Sequence, residues 1–215
     1  MQPFFLDLVT DTDEERRRFE TNPIVLDAVA RGMPVERYRK LLHELYHIVW
    51  HFNPVCAAGA SRMPDEYRQI RYFLYEHMHE ESGHEGWVIN DLEAVGIPKE
   101  RVRVHLPSVF TLALTGYNYW AADRRHPCSV LGMIYALEVI ASVYGGPFSL
   151  AIKEALHLQG EAGTTFISSH ATMDAAHMAE LRVVLNTLHD ADSRSAITES
   201  AIINFHHFTK IFEAV

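Results

Sequence analysis

The sequence is poor in cysteine, in basic charge and in long uncharged apolar runs, and each shortage removes a class of protein. Two cysteines, Cys56 and Cys128, cannot make a disulfide framework, and their spacing suits no metal. A formal net charge of −9 leaves no basic face for nucleic-acid phosphates. There is no run of about 18 uncharged apolar residues, so no membrane span is expected. Met1-Gln2-Pro3-Phe4-Phe5 has neither a basic start nor a long apolar stretch, which makes the cytoplasm the expected location. Internal repeats, low-complexity tracts and linkers are missing too, so residues 1–215 are expected to form a single domain. At 48% hydrophobic residues, a chain of 215 is long enough to bury a real core.

Strand alternation is also missing, and the punctuation that is present is helical. Asp11 or Thr12 is placed to cap a helix over 14–20, Pro23 restarts it, and Gly32 ends it. Pro34 opens a long helix carrying Tyr38, Leu41, Leu42, Leu45, Ile48 and Val49 at helical spacing. Another is predicted from Pro64 through Ile70, Leu74, Trp87 and Leu92 to Gly96-Ile97-Pro98. Further helices are predicted over 108–122, 129–143, 148–159, 164–188 and 195–213, with Gly145-Gly146-Pro147 breaking the chain between the second and third of these. Seven or eight helices with short connections make an all-α bundle.

Fourteen histidines are more than such a core needs, and several fall in acid–histidine patterns. In His170-Ala-Thr-Met-Asp174-Ala-Ala-His177, Asp174 and His177 lie within about 40° and about 20° of His170 around a helix. All three project from one stripe, and imidazole with carboxylate suits iron, manganese or zinc. The alternative is a solvated polar stripe, but Phe166, Ile167, Ala171, Met173 and Ala176 leave little purely polar surface. Glu81 and His84 are three apart, the Glu-x-x-His spacing that recurs in two-metal carboxylate bundles and also decorates ordinary solvated helices. His77 lies on the same stripe, as a ligand or as a partner orienting one. Gly83, costly inside a helix, implies a neighbour that needs close approach.

Glu138 stands alone in Leu131-Gly-Met-Ile-Tyr-Ala-Leu-Glu138-Val-Ile-Ala-Ser, a helix apolar nearly all round and therefore expected to be buried. A buried carboxylate must pair with an arginine or hold a cation. Glu44, His47 and His51 share a face of the long helix after Pro34, with Glu44 the candidate to complete a second metal's shell and the two histidines as outer partners or plain core. Four helices thus each offer an inward acid or acid–histidine set, too many groups for one tetrahedral zinc and a match for two metals that activate O2. Cysteine is absent from every motif, which excludes iron–sulfur and zinc–thiolate chemistry.

These motifs together resemble the haem-oxygenase-like diiron oxidases, or iron-containing redox enzymes, in the superfamily of thiaminase II, pyrroloquinoline quinone synthase and haem oxygenase. The resemblance runs from about Pro23 to His189. It rests on Glu44-Leu-Tyr-His47-Ile-Val-Trp-His51, Glu80-Glu81-Ser-Gly-His84-Glu85-Gly-Trp87 leading to Asp91, lone Glu138, and His170-x3-Asp174-x2-His177. It implies a haem-oxygenase-like bundle and two iron ions, with manganese as the alternative, held by Glu44, Glu81, His84, Glu138, His170, Asp174 and His177. His47, His51, His77, Tyr46 and Tyr135 are implied around the metals or the substrate pocket, and Tyr46, Trp50, Tyr135 and Phe166 are candidates for the walls of an apolar chamber. Either Glu44 or Glu81 would bridge the irons.

The activity implied is an O2-dependent oxidation through a peroxo-diiron species, on an amino-acid-like or fatty-acid-like substrate. An external electron donor and a homodimer are also implied, with no nucleic-acid or membrane partner. The chain lacks what the rest of the superfamily would need. Neither cysteine sits in a thiaminase II setting, a cofactor-free quinone synthase would not explain the clustered acids, and an acidic chain offers no basic fringe for haem propionates. Two other readings remain open. One is a ferritin-like iron-sequestering protein, suggested by the Glu44/His47 and Glu81/His84 pairs; the other is a metal-free binding module.

Overall fold

The computed structural model describes residues 3–215, apart from the side chains of residues 174 and 175. The chain runs through α1 (Phe4–Asp11), α2 (Asp13–Glu20), α3 (Pro23–Arg31) and α4 (Val35–Arg62), then α5 (Arg68–Glu80) and α6 (His84–Ala94). A single turn, α7 (Lys99–Val102), leads to α8 (Val109–Trp120), α9 (Val130–Ile140) and α10 (Gly146–Ala155), and the chain closes with α11 (Thr165–Leu185) and α12 (Ala191–Ala214). There is no strand among the described residues, and the all-α bundle expected from the sequence is what forms.

Eleven of these helices are eight residues or longer, more than the seven or eight expected: α2 and α3 are separate helices, and two further local features add to the count. Residues 4–11 form a helix of their own, and the predicted helix after Pro64 is broken at residues 81–83, where Gly83 takes φ +93°. A side chain resists that left-handed conformation and glycine does not. Nothing lies within 4 Å of where a Gly83 Cβ would stand, so Gly83 is needed for its backbone and not for a close neighbour.

At Gly145-Gly146-Pro147 the opposite correction applies. The chain does not break there. A π-helical turn, Ala141–Gly145, joins α9 to α10, and Pro147 falls in the first turn of α10, where a missing N–H costs least. Within Pro127–Ala155 an 18-residue window has a mean hydropathy of 1.6, long and apolar enough for a membrane span, yet 72% of that window is buried in the bundle. It is the core helix. A Cβ on Gly132 would stand 2.2 Å from the Ile197 carbonyl oxygen, so this glycine lets α12 lie directly on α9.

Caps come partly from local sequence and partly from elsewhere. Asn22 accepts from Ile24 N at 2.9 Å with Pro23 behind it, and Asp190 caps α12 by accepting from Ser193 N at 2.8 Å. Thr12 does not cap α2; its hydroxyl donates back to Leu8 O. The N-terminus of α11 is held by a residue far away in sequence. Asp91 on α6 accepts from Gly163 N at 3.1 Å, Thr165 N at 2.9 Å and Phe166 N at 2.8 Å. Tyr38 on α4 donates to Gly163 O at 2.7 Å, so α4, α6 and α11 are tied at one end.

Candidate metal centre

Where α5 gives way to α6, the turn at Gly83 points Glu81 and His84 at each other. His84 Nδ1 lies 2.8 Å from Glu81 Oε2, a contact made by the turn and not by one continuous helix face. From α11, His170 brings Nε2 to 3.3 Å from the same oxygen. Its Nδ1–H donates to the Phe166 carbonyl at 2.9 Å, which directs Nε2 inward. One turn pair further along α11, His177 places Nδ1 3.1 Å from Glu138 Oε1 and 3.8 Å from Glu81 Oε1. His77, from the last turns of α5, has Nε2 3.5 Å from Glu138 Oε1.

Two groups of converging donor atoms result: His77, Glu81, Glu138 and His177 in one, and Glu81, His84 and His170 in the other. Within each, the atoms lie within 4.8 Å of one another, and every member is buried. Glu81 belongs to both.

The site's electrostatics follow from its burial. Burial pushes the His77 imidazole down to about 4, with Glu81 opposing, so the ring is neutral at pH 7, the form that ligates metals. Burial opposes ionisation of Glu81, but hydrogen bonds from His170 and His84 outweigh it and hold this carboxyl well below the usual range. Glu138 is shifted upward, chiefly by burial, against the pull of His177. His177 is shifted upward by its hydrogen bond to Glu138, against burial. No arginine or lysine pairs with Glu138 among the described residues; the groups it meets are His77 and His177.

Several atoms in this dry setting are left over. Glu81 Oε1, Glu138 Oε2 and both ring nitrogens of His77 are buried without a hydrogen-bond partner among the described residues. Buried acceptors are normally satisfied, and buried charge is paired or coordinates a metal. Histidine nitrogens and carboxylate oxygens with unspent lone pairs, around two shared points, fit iron or manganese.

Aromatic rings wall the site. Trp87 stacks on His84 at 3.9 Å, Phe73 stacks on His77 at 5.4 Å, and Phe166 lies 4.2 Å from His170. Beside the site opens a cavity whose lining includes Leu45 and Val49 of α4, Ile140 of α9, Phe166 and Ile167 of α11, and Phe212 of α12, with Glu81, Glu138 and His170 in its wall.

Other expected residues are placed differently. Glu44 is in neither donor group. Its oxygens accept from Ser108 N, both at 3.1 Å, and from Ser108 Oγ at 2.9 Å, so it caps the start of α8 from outside that helix. Placing Glu44 with the ligands rested on the face it shares with His47 and His51 and on the family resemblance, but in the structure that carboxylate meets another helix end. His47 donates from Nε2 to the His105 carbonyl at 2.7 Å, and His51 Nδ1 lies 3.1 Å from the Tyr119 hydroxyl. Tyr135 packs on Phe5 and Phe205, Tyr46 on His47 and Trp50, and Trp50 is 45% exposed; of the aromatics expected around the chamber, only Phe166 lines it. The Asp174 side chain lies outside the described residues.

His77, expected beside the site, is grouped with its donors, and its stripe with Glu81 was the available signal. Glu80 was not foreseen as part of the site; its Oε2 comes to 3.4 Å from His177 Nε2. The cap that Asp91 provides had no sequence signal at all. Cys56 is buried, and burial with the charge of Glu81 pushes its thiol upward, keeping it neutral and outside both donor groups.

No curated protein sequence matches the chain significantly. Solved structures do match its shape. A domain of unknown function with a heme oxygenase-like fold from Shewanella denitrificans superposes with a TM-score of 0.82 at 22% identity, covering 98% of this chain and 89% of that one. A TenA homolog from Pseudomonas syringae gives 0.82 at 12% identity (98% and 91% covered), and heme oxygenase-1 from Synechocystis, in complex with heme, gives 0.79 at 17% (99% and 92%). At these identities the likeness establishes the haem-oxygenase-like fold and nothing more. The sequence itself carries the assignment further: residues 39–203, which span every donor in both groups, match the model of the iron-containing redox enzymes, and the chain belongs to that family.

Proposed function

We propose that the protein is a non-haem diiron oxidase or oxygenase, using O2 to oxidise a small organic substrate held in the cavity beside Glu81, Glu138 and His170. The observation that supports this most directly is the position of Glu81. One of its oxygens faces His84 and His170 and the other faces His177, so a single carboxylate serves two donor sets. That arrangement suits two ions sharing one carboxylate, and on this reading the shared acid would be Glu81 rather than Glu44. Of the two pairs behind the ferritin-like reading, Glu81/His84 stays in a donor group, whereas Glu44 and His47 are engaged with Ser108 and His105.

Iron bound in this site supplies the electrons that activate O2. The protein's own groups do the rest. His77, His84, His170 and His177 would offer ring nitrogens to the metal, and Glu81 and Glu138 would supply negative charge to balance the cations. The Phe166 carbonyl fixes the His170 tautomer, and Glu80 addresses the outer nitrogen of His177. Trp87, Phe73 and Phe166 exclude water, which strengthens every electrostatic contact inside. Partners under this reading are O2, the substrate and an external electron donor. Anaerobic titration with Fe(II), followed by iron analysis, should saturate at about two ions per chain. Mixing with O2 should then consume it in proportion to bound iron and give a transient visible absorption. Saturation at one ion, or bound iron inert to O2, would overturn the proposal.

A further inference from the structure

The cavity beside the site is walled almost entirely by hydrocarbon, and its polarity is confined to one place. Among its lining residues the charged or imidazole groups are Glu81, Glu138 and His170, and no lysine or arginine is present. Its volume is about 120 Å³, on a measure by which about 10–15 Å³ holds one water, so it has room for on the order of ten heavy atoms. Phe19, Tyr144, Phe208 and Phe212 form a cluster of rings in the wall, with Phe19 centred 5.4 Å from Tyr144, 5.9 Å from Phe208 and 5.6 Å from Phe212. None of these rings contacts a ring of the donor site, and the Tyr144 hydroxyl is engaged by Glu20, which is not in the lining.

A free amino acid fits this space badly. Without metal its carboxylate meets Glu81 and Glu138 or bare hydrocarbon with no cation to pair it; with iron bound the metal can take the carboxylate, but Glu81 and Glu138 are then spent on the metal and nothing in the described lining pairs the ammonium. A linear chain with one polar end has no such conflict. We infer that the cavity binds a linear apolar chain, its polar end at Glu81, Glu138 and His170 and its tail stopped by the rings of Phe19, Tyr144, Phe208 and Phe212, which set the chain length accepted. The inference rests on the diiron reading for the chemistry at the polar end alone; the binding of the tail does not need iron. Without metal, a carboxylate end is repelled by Glu81 and Glu138 and a hydroxyl end is not. With iron present, the carboxylate end becomes acceptable.

The test is calorimetry with straight-chain primary alcohols of increasing length on the metal-free protein, and with the matching carboxylic acids after anaerobic Fe(II) loading. Alcohol affinity should rise about four-fold per methylene, the equivalent of about 0.8 kcal/mol, and then level off where the tail meets the rings. Phe212→Leu, which trims one ring and keeps most of the volume, should move that plateau to longer chains. Val29→Phe narrows the cavity away from the donors and should weaken alcohol binding about ten-fold with iron uptake unchanged. Absence of a length dependence, tighter binding of free amino acids than of alcohols, or a plateau unmoved in a folded Phe212→Leu protein would overturn the inference. Failure of iron to bind would overturn the diiron reading and leave the alcohol series to decide the chain-binding claim.

Discussion

Asp91 and Glu44 lie as deep in the protein as Glu81 and Glu138, at 0%, 6%, 9% and 6% exposure, yet the two pairs have opposite surroundings. Asp91 receives three backbone N–H groups at the start of α11, and Glu44 receives the amide and hydroxyl of Ser108 at the start of α8. Helix N-termini present unsatisfied donors and a partial positive charge, and each of these carboxylates is answered by one. Glu81 and Glu138 face histidines and each other, and each keeps an oxygen with no hydrogen-bond partner among the described residues. Burial alone therefore does not identify a functional acid. What separates the pairs is whether the protein itself supplies the donors.

The largest effect should come from the structural pair. Asp91→Ala removes three charge-assisted bonds, each worth about 1.5–3 kcal/mol and not additive, and should lower unfolding free energy by about 3–5 kcal/mol. Because Asp91 caps α11 and belongs to neither donor group, the loss should already be present in urea titrations of the metal-free protein. A loss below about 1 kcal/mol would mean the α11 cap is dispensable and the comparison misdrawn.

Glu138→Leu should behave in the reverse way. It replaces a buried acid that meets no arginine or lysine among the described residues by apolar volume, so the metal-free protein should melt at or above the wild-type temperature. What it should lose is stabilisation by Fe(II), about 2.7 kcal/mol at a free concentration about 100 times the dissociation constant. A variant that melts far below wild type in EDTA would return Glu138 to the structural pair.

Histidines sharpen the same contrast. His170→Ala should reduce iron content and abolish O2 consumption with far-UV helicity intact, whereas His47→Ala, which loses a bond to the His105 carbonyl, should leave iron content unchanged. The Glu80 contact predicts an intermediate case: Glu80→Ala should weaken iron binding by about 10–100-fold without changing its stoichiometry. Equal damage from His47→Ala and His170→Ala would undo the assignment of both.

The smallest effect expected is that of Glu44→Gln. The amide oxygen can still accept from Ser108, so the cost should be about 1 kcal/mol, and iron stoichiometry should not move. If this substitution halves the iron bound, Glu44 belongs with Glu81 and Glu138 after all.

Periodicity and punctuation were enough to read the helical class from the sequence, because amphipathic spacing, prolines at first turns and side-chain caps act within a few residues of one another. The sequence also showed Glu138 to be a buried acid, since one carboxylate in a helix apolar all round has nowhere else to go. It showed the His170 and His177 stripe for the same local reason, that a helix repeats every 3.6 residues. The break at Gly83 and the continuity through Gly145-Gly146-Pro147 were harder to read, because glycine and proline mark several backbone outcomes and packing selects among them.

Only the tertiary structure decided where Glu44 and Asp91 point, because a cap supplied by another helix leaves no spacing along the chain. It alone moved His77 into the donor group and made Glu81 the acid common to both sets, since that depends on how α5, α6, α9 and α11 meet. The same holds for the cavity. Its wall is assembled from α2, α3, α4, α9, α10, α11 and α12, seven helices whose apolar faces look alike in sequence and enclose one space only when packed.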